Sequence, residues 1–106
     1  MKLVIIESPY AGDVEANVAY ARKAMADSIR YYGEAPIASH LLYTQPGILD
    51  DALAHERALG IAAGLAWRAV AHEAIFYVDR GWSNGMIAAK EVYEREGFPF
   101  SIRSIE

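Results

Sequence analysis

Ala74-Ile75-Phe76-Tyr77-Val78-Asp79-Arg80-Gly81-Trp82-Ser83-Asn84-Gly85-Met86 passes from an apolar, β-forming run into a polar turn and then into a helical pattern. A strand that ends in a turn and feeds a helix is the repeating unit of an α/β domain. In open α/β sheets, ligands bind beyond the carboxyl ends of the strands. Glycine lets backbone approach a ligand closely, and free N–H groups at a helix start attract anions. The turn therefore suits a polar ligand bearing sugar or phosphate. It equally suits an ordinary connection in which Ser83 is a helix N-cap.

The same rhythm recurs along the chain. Leu3-Val4-Ile5-Ile6 is apolar between Lys2 and Glu7, the pattern of a buried central strand. Ser8-Pro9-Tyr10-Ala11-Gly12-Asp13 reads as a loop with Asp13 as N-cap. Val14, Val18, Ala21, Met25 and Ile29 form an apolar helical stripe, and Gly33 ends that helix. Ala35 to Ser39 is expected as the second strand, His40 to Gln45 as a polar-aromatic loop, and Ile48 to Ala54 as a short helical turn. Glu56 to Val70 is rich in Ala, Leu and Ile and reads as a buried helix. Its Gly60 and Gly64, four apart on one face, point to close backbone packing. Ala74 to Val78 is the third strand, Ser83 to Glu96 the last helix, and Phe98 to Ile105 a half-buried edge strand. The order β-α-β-α-α-β-α-β predicts a small three-layer, Rossmann-like or flavodoxin-like α/β domain with a mainly parallel sheet of four to five strands. No Gly-x-Gly-x-x-Gly follows the first strand, so a dinucleotide fingerprint is absent.

A chain of 106 residues that is 54% hydrophobic fits one packed domain over residues 1–106. A net charge of −4 argues against broad nucleic-acid binding, which needs a basic face. There is no cysteine, so disulfides and thiolate metal sites are excluded. No His/Asp/Glu spacing makes a metal site, and no cofactor is implied. The apolar run Leu3 to Ile6 is too short for a signal peptide or a membrane span, so a cytoplasmic protein without membrane partners is expected.

Three loops should meet at the carboxyl edge of the sheet. They carry Ser8, Pro9 and Tyr10; His40 and Tyr43; and Asp79, Trp82, Ser83, Asn84, Gly85 and Met86. Aromatic faces with hydroxyls and a carboxylate suit a base stacked over a ribose. Tyr10 and Tyr43 equally suit partial burial with the hydroxyl at the surface. Trp82, a large aromatic in a polar turn, favours binding. His40, just past a strand, is placed either to donate to a phosphate or to cap the strand end. His55-Glu56-Arg57 reads as a solvated helix start, with Arg57 also long enough to reach a phosphate or a neighbouring subunit. His72 and Glu73 read as plain surface residues. No Gly-x-Ser-x-Gly elbow occurs.

Five blocks carry a resemblance. They are Ile6-Glu7-Ser8-Pro9-Tyr10-Ala11-Gly12, Ser39-His40-Leu41-Leu42-Tyr43-Thr44-Gln45, Glu56-Arg57-Ala58-Leu59-Gly60-Ile61, Gly81-Trp82-Ser83-Asn84-Gly85-Met86 and Pro99-Phe100-Ser101-Ile102-Arg103. In this order they resemble a family of short phage and bacterial proteins. That family is similar to the nucleoside 2-deoxyribosyltransferase-like superfamily, including nucleoside-monophosphate N-glycosidases. The resemblance implies a nucleotide pocket and a homo-oligomer whose neighbours complete each site. It also implies a glutamate nucleophile six residues beyond the turn serine, where this chain has Ala89. A second acid is implied near Gly64-Leu65-Ala66-Trp67, which holds no carboxylate. A methyl group cannot attack an anomeric carbon.

Three readings follow. The first is a protein that binds a nucleotide-like small molecule without turnover, such as a phage sponge for a nucleotide immune signal in the host cytoplasm. The second is an N-glycosidase or deoxyribosyltransferase using Asp79 or Glu7 in place of the usual glutamate. The third is an interaction module with no small ligand.

Overall fold

The computed structural model describes all 106 residues, Met1–Glu106. Four strands, β1 (Lys2–Glu7), β2 (Glu34–Ile37), β3 (Glu73–Tyr77) and β4 (Phe100–Arg103), form one sheet in the order β2-β1-β3-β4. Every pairing is parallel. The helices are α1 (Val14–Tyr32), the single turn α2 (Ser39–Leu42), α3 (Ala54–Ala66) and α4 (Asn84–Glu96). A 3-10 turn, Trp67–Ala69, follows α3. The expected Rossmann-like or flavodoxin-like architecture is what the chain adopts. No helix is long and apolar enough to cross a membrane.

Alternation along the inner strands produces two cores. Val4, Ile6, Ile75 and Tyr77 face one side, against Tyr20 and Ala24 of α1. Ile5, Ala74 and Phe76 face the other, against Met86, Ala89 and Tyr93 of α4. Three layers result, because both faces of a central parallel strand must be covered.

The details depart from the sequence pattern in several places: α3, expected as a buried helix over Glu56 to Val70, spans Ala54–Ala66 and buries only Gly64, and other elements differ for local reasons. In α1 the buried residues are Tyr20, Ala21, Ala24 and Ser28, whereas Val14 and Ile29 of the predicted stripe are exposed. Small residues and two hydroxyl-bearing ones with polar partners beneath them win the buried face. The second strand begins and ends earlier than expected, and Ser39–Leu42 is helical rather than loop. Pro36 is tolerated because β2 lies at the sheet edge. The stretch expected to be a helical turn before α3 is a series of turns, in which the Asp50 carboxylate accepts from the Ala52 N–H at 3.0 Å. The last strand is only Phe100–Arg103. Pro99 has no N–H to pair, and the Ile105 and Glu106 amides turn to the Asp79 carboxylate at 2.8 and 3.0 Å. His72 is also more than surface: its Nδ1 accepts the Leu3 N–H at 3.0 Å.

Candidate functional site

From β1 the chain leaves through α1 to β2 on one side, while β3 flanks β1 on the other. The carboxyl ends of β1 and β3 therefore border the topological switch point, where open α/β sheets leave a crevice. A cleft of about 700 Å³ lies there, within the range of small-molecule sites. Glu7, Ser8 and Tyr10 form its floor from the end of β1, and Ser39, His40 and Tyr43 enter from α2. Glu56, Arg57, Ile61 and Leu65 wall it from α3, and Ser83 to Met86 with Ala88, Ala89 and Val92 wall it from α4. Both helices run back from the carboxyl edge of the sheet, so Arg57 and Asn84 stand at one end and Leu65 and Val92 at the other. Eight residues of α4 separate Asn84 from Val92, about 12 Å of helix rise.

Local chemistry fixes each wall. Asn17 of α1 donates through Nδ2 to the Tyr10 and Ala11 carbonyls at 3.0 and 3.1 Å, pinning the first loop. Ser83 is the N-cap of α4: its Oγ accepts from the Met86 N–H at 3.2 Å, and the Met86 sulfur accepts from the Ser83 N–H at 3.5 Å. This reciprocal cap buries Met86 and leaves the first-turn N–H groups of Asn84 and Gly85, both cleft-lining residues, without an intrahelical partner. Gly64 is buried because a Cβ there would stand 2.5 Å from the Ser39 hydroxyl oxygen, so α3 rests directly on α2. The close packing expected of this glycine is found. Gly60 is looser, its nearest neighbour being the Leu49 Cδ1 at 3.5 Å.

The Ser8 hydroxyl and His40 Nε2 lie 2.7 Å apart, tying the end of β1 to α2. Burial pushes the His40 imidazole down to about 4, so it is neutral at pH 7. It therefore holds two loops together and carries no positive charge to an anion. Arg57 sits at the rim, its Nε donating to the Asp51 carbonyl at 3.0 Å, with the Asp51 carboxylate 3.7 Å away. The Glu56 carboxylate accepts the Asp50 N–H at 2.7 Å. The Tyr43 hydroxyl accepts from the Trp67 indole at 2.9 Å. Glu7 differs from these acids. It is half-buried, makes no hydrogen bond through its carboxyl, and burial pushes it up to about 8. Tyr93, on the neighbouring helix, is fully buried with its hydroxyl unpartnered.

Of the residues singled out in the sequence, Ser8, Tyr10, His40, Tyr43, Arg57, Ser83, Asn84, Gly85 and Met86 come together at the cleft, with Glu7 among them. Three do not. Pro9 is buried and only shapes the loop. Trp82 packs on Phe76, ring centroids 4.9 Å apart, outside the cleft. Asp79 faces the α1 side, where its carboxylate accepts from the Tyr20 hydroxyl at 2.6 Å and from the Ile105 and Glu106 amides. The Tyr20 and Ile105 hydrogen bonds hold it below the usual carboxylate range. It is a fastening for the final residues and cannot reach the cleft contents. Val92 and Leu65 were missed as site residues, since an apolar residue on a helix reads as core. Ala89, the position at which the resemblance implies a glutamate, does line the cleft, and it presents a methyl group 8% exposed.

No curated protein and no solved structure matches this chain. Residues 2–103 match the family described as Domain of unknown function (DUF7768). That match spans nearly every residue of the fold and both walls of the cleft, and the chain belongs to the DUF7768 family.

Proposed function

We propose that this protein binds a nucleotide of the nucleoside-monophosphate class, or a small molecule derived from one, without turning it over. The observation that carries the reading is the cleft at the switch point, which gathers the three loops and the start of α4 around a space of about 700 Å³. The Asn84 and Gly85 amides and the Arg57 guanidinium supply donors for one phosphate at one end. Tyr10 and Tyr43 offer faces for the sugar. The about 12 Å length along α4 suits the span from phosphate to base. Similarity to the nucleoside 2-deoxyribosyltransferase-like superfamily adds to this reading. The methyl of Ala89 supports binding over bond cleavage, because no ionised carboxylate stands at that position. Binding without turnover fits a cytoplasmic sponge that sequesters a nucleotide signal, in the host cytoplasm if a phage encodes it.

Calorimetry against a panel of nucleoside monophosphates and cyclic and ADP-ribose-type nucleotides tests the proposal. Micromolar binding to at least one is expected, with loss on combining Ser83→Ala and Gly85→Arg. Absence of binding across the panel would sink it.

The glycosidase reading rests on a different observation, the protonatable Glu7 carboxyl beside the Ser8–His40 pair. Chromatographic release of free base from a nucleotide, abolished by Glu7→Gln, would establish that reading instead. Asp79 has no part in it, being held on the α1 side.

A homo-oligomer belongs to the same proposal. From Ala58 to Ala66 α3 is all Ala, Leu, Ile and Gly, yet only Gly64 is buried, and Leu59 and Ile61 are 59% and 52% exposed. A helix apolar on every side ordinarily has a cover. A second copy packed on α3 would also close the open side of the cleft. Elution as a monomer at micromolar concentration would contradict this.

A further inference from the structure

We propose that Glu7 reads the heterocycle of the bound nucleotide, its carboxyl pairing with a ring edge that carries one hydrogen-bond donor beside one acceptor. The inference rests on the nucleotide-binding reading above and names what the part of that cleft around Glu7 recognises.

The placement comes first. Glu7 follows Ile5 on the α4 side of the sheet and lies in register with Phe76 of β3. An apolar residue would continue that face. Instead a carboxyl sits at the end of the strand, lining the cleft with Leu65, Met86, Ala89 and Val92. Two helices thus offer apolar walls suited to a flat ring, with one polar group between them. The chain itself leaves that group unsatisfied. A half-buried carboxyl set among apolar side chains with no partner of its own calls for an explanation. The unpartnered Tyr93 hydroxyl beside it marks the same spot, since the Glu7 charge acts on that hydroxyl.

The protonation state then selects the ligand chemistry. At neutral pH the buried carboxyl keeps its proton and presents one donor and one acceptor. That pattern matches adenine, cytosine and lactam edges in a cyclic pair of hydrogen bonds. Once ionised it offers two acceptors, and one of the two hydrogen bonds is lost. The other titratable groups around it do not mimic this change. His40 is neutral through the same range, Arg68 is paired with Glu96, and burial holds Tyr93 above its ordinary value. Glu56 and Arg57 lie in the first turn of α3, eight or more residues before Leu65, and Asp51 precedes that helix.

Calorimetry with adenosine monophosphate at pH 7 and pH 9 tests the inference, with ribose 5-phosphate as the ligand that lacks a base. Wild type should lose up to about tenfold in affinity for the nucleotide at pH 9, as the protonated fraction of Glu7 falls, and show no such change for ribose 5-phosphate. Glu7→Gln keeps a donor and an acceptor at both pH values and should bind the nucleotide equally at each. Glu7→Leu should lose at least tenfold at both, with its fold checked by circular dichroism. Nucleotide binding that is independent of pH in wild type, or that falls equally in Glu7→Gln, overturns the role of Glu7 and leaves nucleotide binding standing. Failure of wild type to bind adenosine monophosphate at pH 7 overturns the role of Glu7, and failure across the whole nucleotide panel overturns both.

Discussion

The two faces of the sheet treat their carboxylates in opposite ways. On the α1 face the acids that pack against the sheet are answered by the chain. Asp79 has the Tyr20 hydroxyl and two backbone amides, and Asp27 has the Tyr77 hydroxyl at 2.8 Å. Glu34, nearly buried, has a bidentate Arg103 at 2.7 Å on both oxygens and the Ser28 hydroxyl at 2.8 Å. Tyr32 of α1 stacks on the same guanidinium, 3.4 Å from ring centre to carbon. On the α4 face Glu7 has no such partner, and the space before it is open. A saturated carboxylate is a fastening, while an unsaturated one beside a cleft is available to a ligand. Two acids at the ends of adjacent strands thus have different work, and only their surroundings tell them apart.

The contrast should break most visibly at Glu34. Glu34→Leu leaves Arg103 buried without its counter-charge, and a loss of about 3–5 kcal/mol in chemical denaturation is expected, with ligand affinity unchanged. Acid should have a related effect in wild type. Burial raises the Glu34 carboxyl, but the Arg103 and Ser28 hydrogen bonds outweigh it and hold the group below its ordinary value of 4.5. The unfolded chain then binds the proton more readily, so this stabilisation is present above pH 4.5 and is lost as pH falls through the lower folded value.

Glu7 should show the opposite sign. Its folded value near 8 lies above 4.5, so the native state holds the proton longer than the unfolded chain. Stability should therefore decline as pH rises from about 4.5 to about 8. Glu7→Gln should flatten that slope and gain on the order of 2–3 kcal/mol over wild type at pH 8. Denaturation curves at pH 5 and pH 8 measure it, and parallel curves for the two proteins would remove the distinction between the faces.

A smaller effect separates the two glycines of α3. Gly64→Ala drives a methyl into Ser39 and should cost about 1–3 kcal/mol, weakening ligand binding as α3 shifts. Gly60→Ala meets only ordinary contact and should gain up to about 1 kcal/mol from helix propensity. Thermal melts of both variants decide it. Trp82→Ala removes the Phe76 ring contact, worth about 1 kcal/mol beyond the apolar area it uncovers. Nucleotide affinity should stay within twofold, since Trp82 is not in the cleft.

Much of this was legible in the chain. Alternating apolar runs and helical stripes, punctuated by Gly33, Gly81 and Gly97 in left-handed conformations, determine a parallel α/β domain, because strand and helix periods are local properties. They also place the loops after β1 and β2 and the start of α4 at one edge, and eight of the eleven residues expected there line the cleft, with Arg57 of α3 beside them. The fates of Asp79, Trp82 and Glu7 were not legible. Each sits at a strand end or in a turn, and sequence spacing does not say toward which helix a side chain turns. That choice depends on Tyr20, Phe76 and Tyr93, partners from 6 to 86 positions away in the chain, set in place only when both faces of the sheet are packed. The sequence determined that a cleft would form at the carboxyl edge. Tertiary packing decided which carboxyl was left free inside it, because hydrogen-bond satisfaction and burial are properties of the assembled layers.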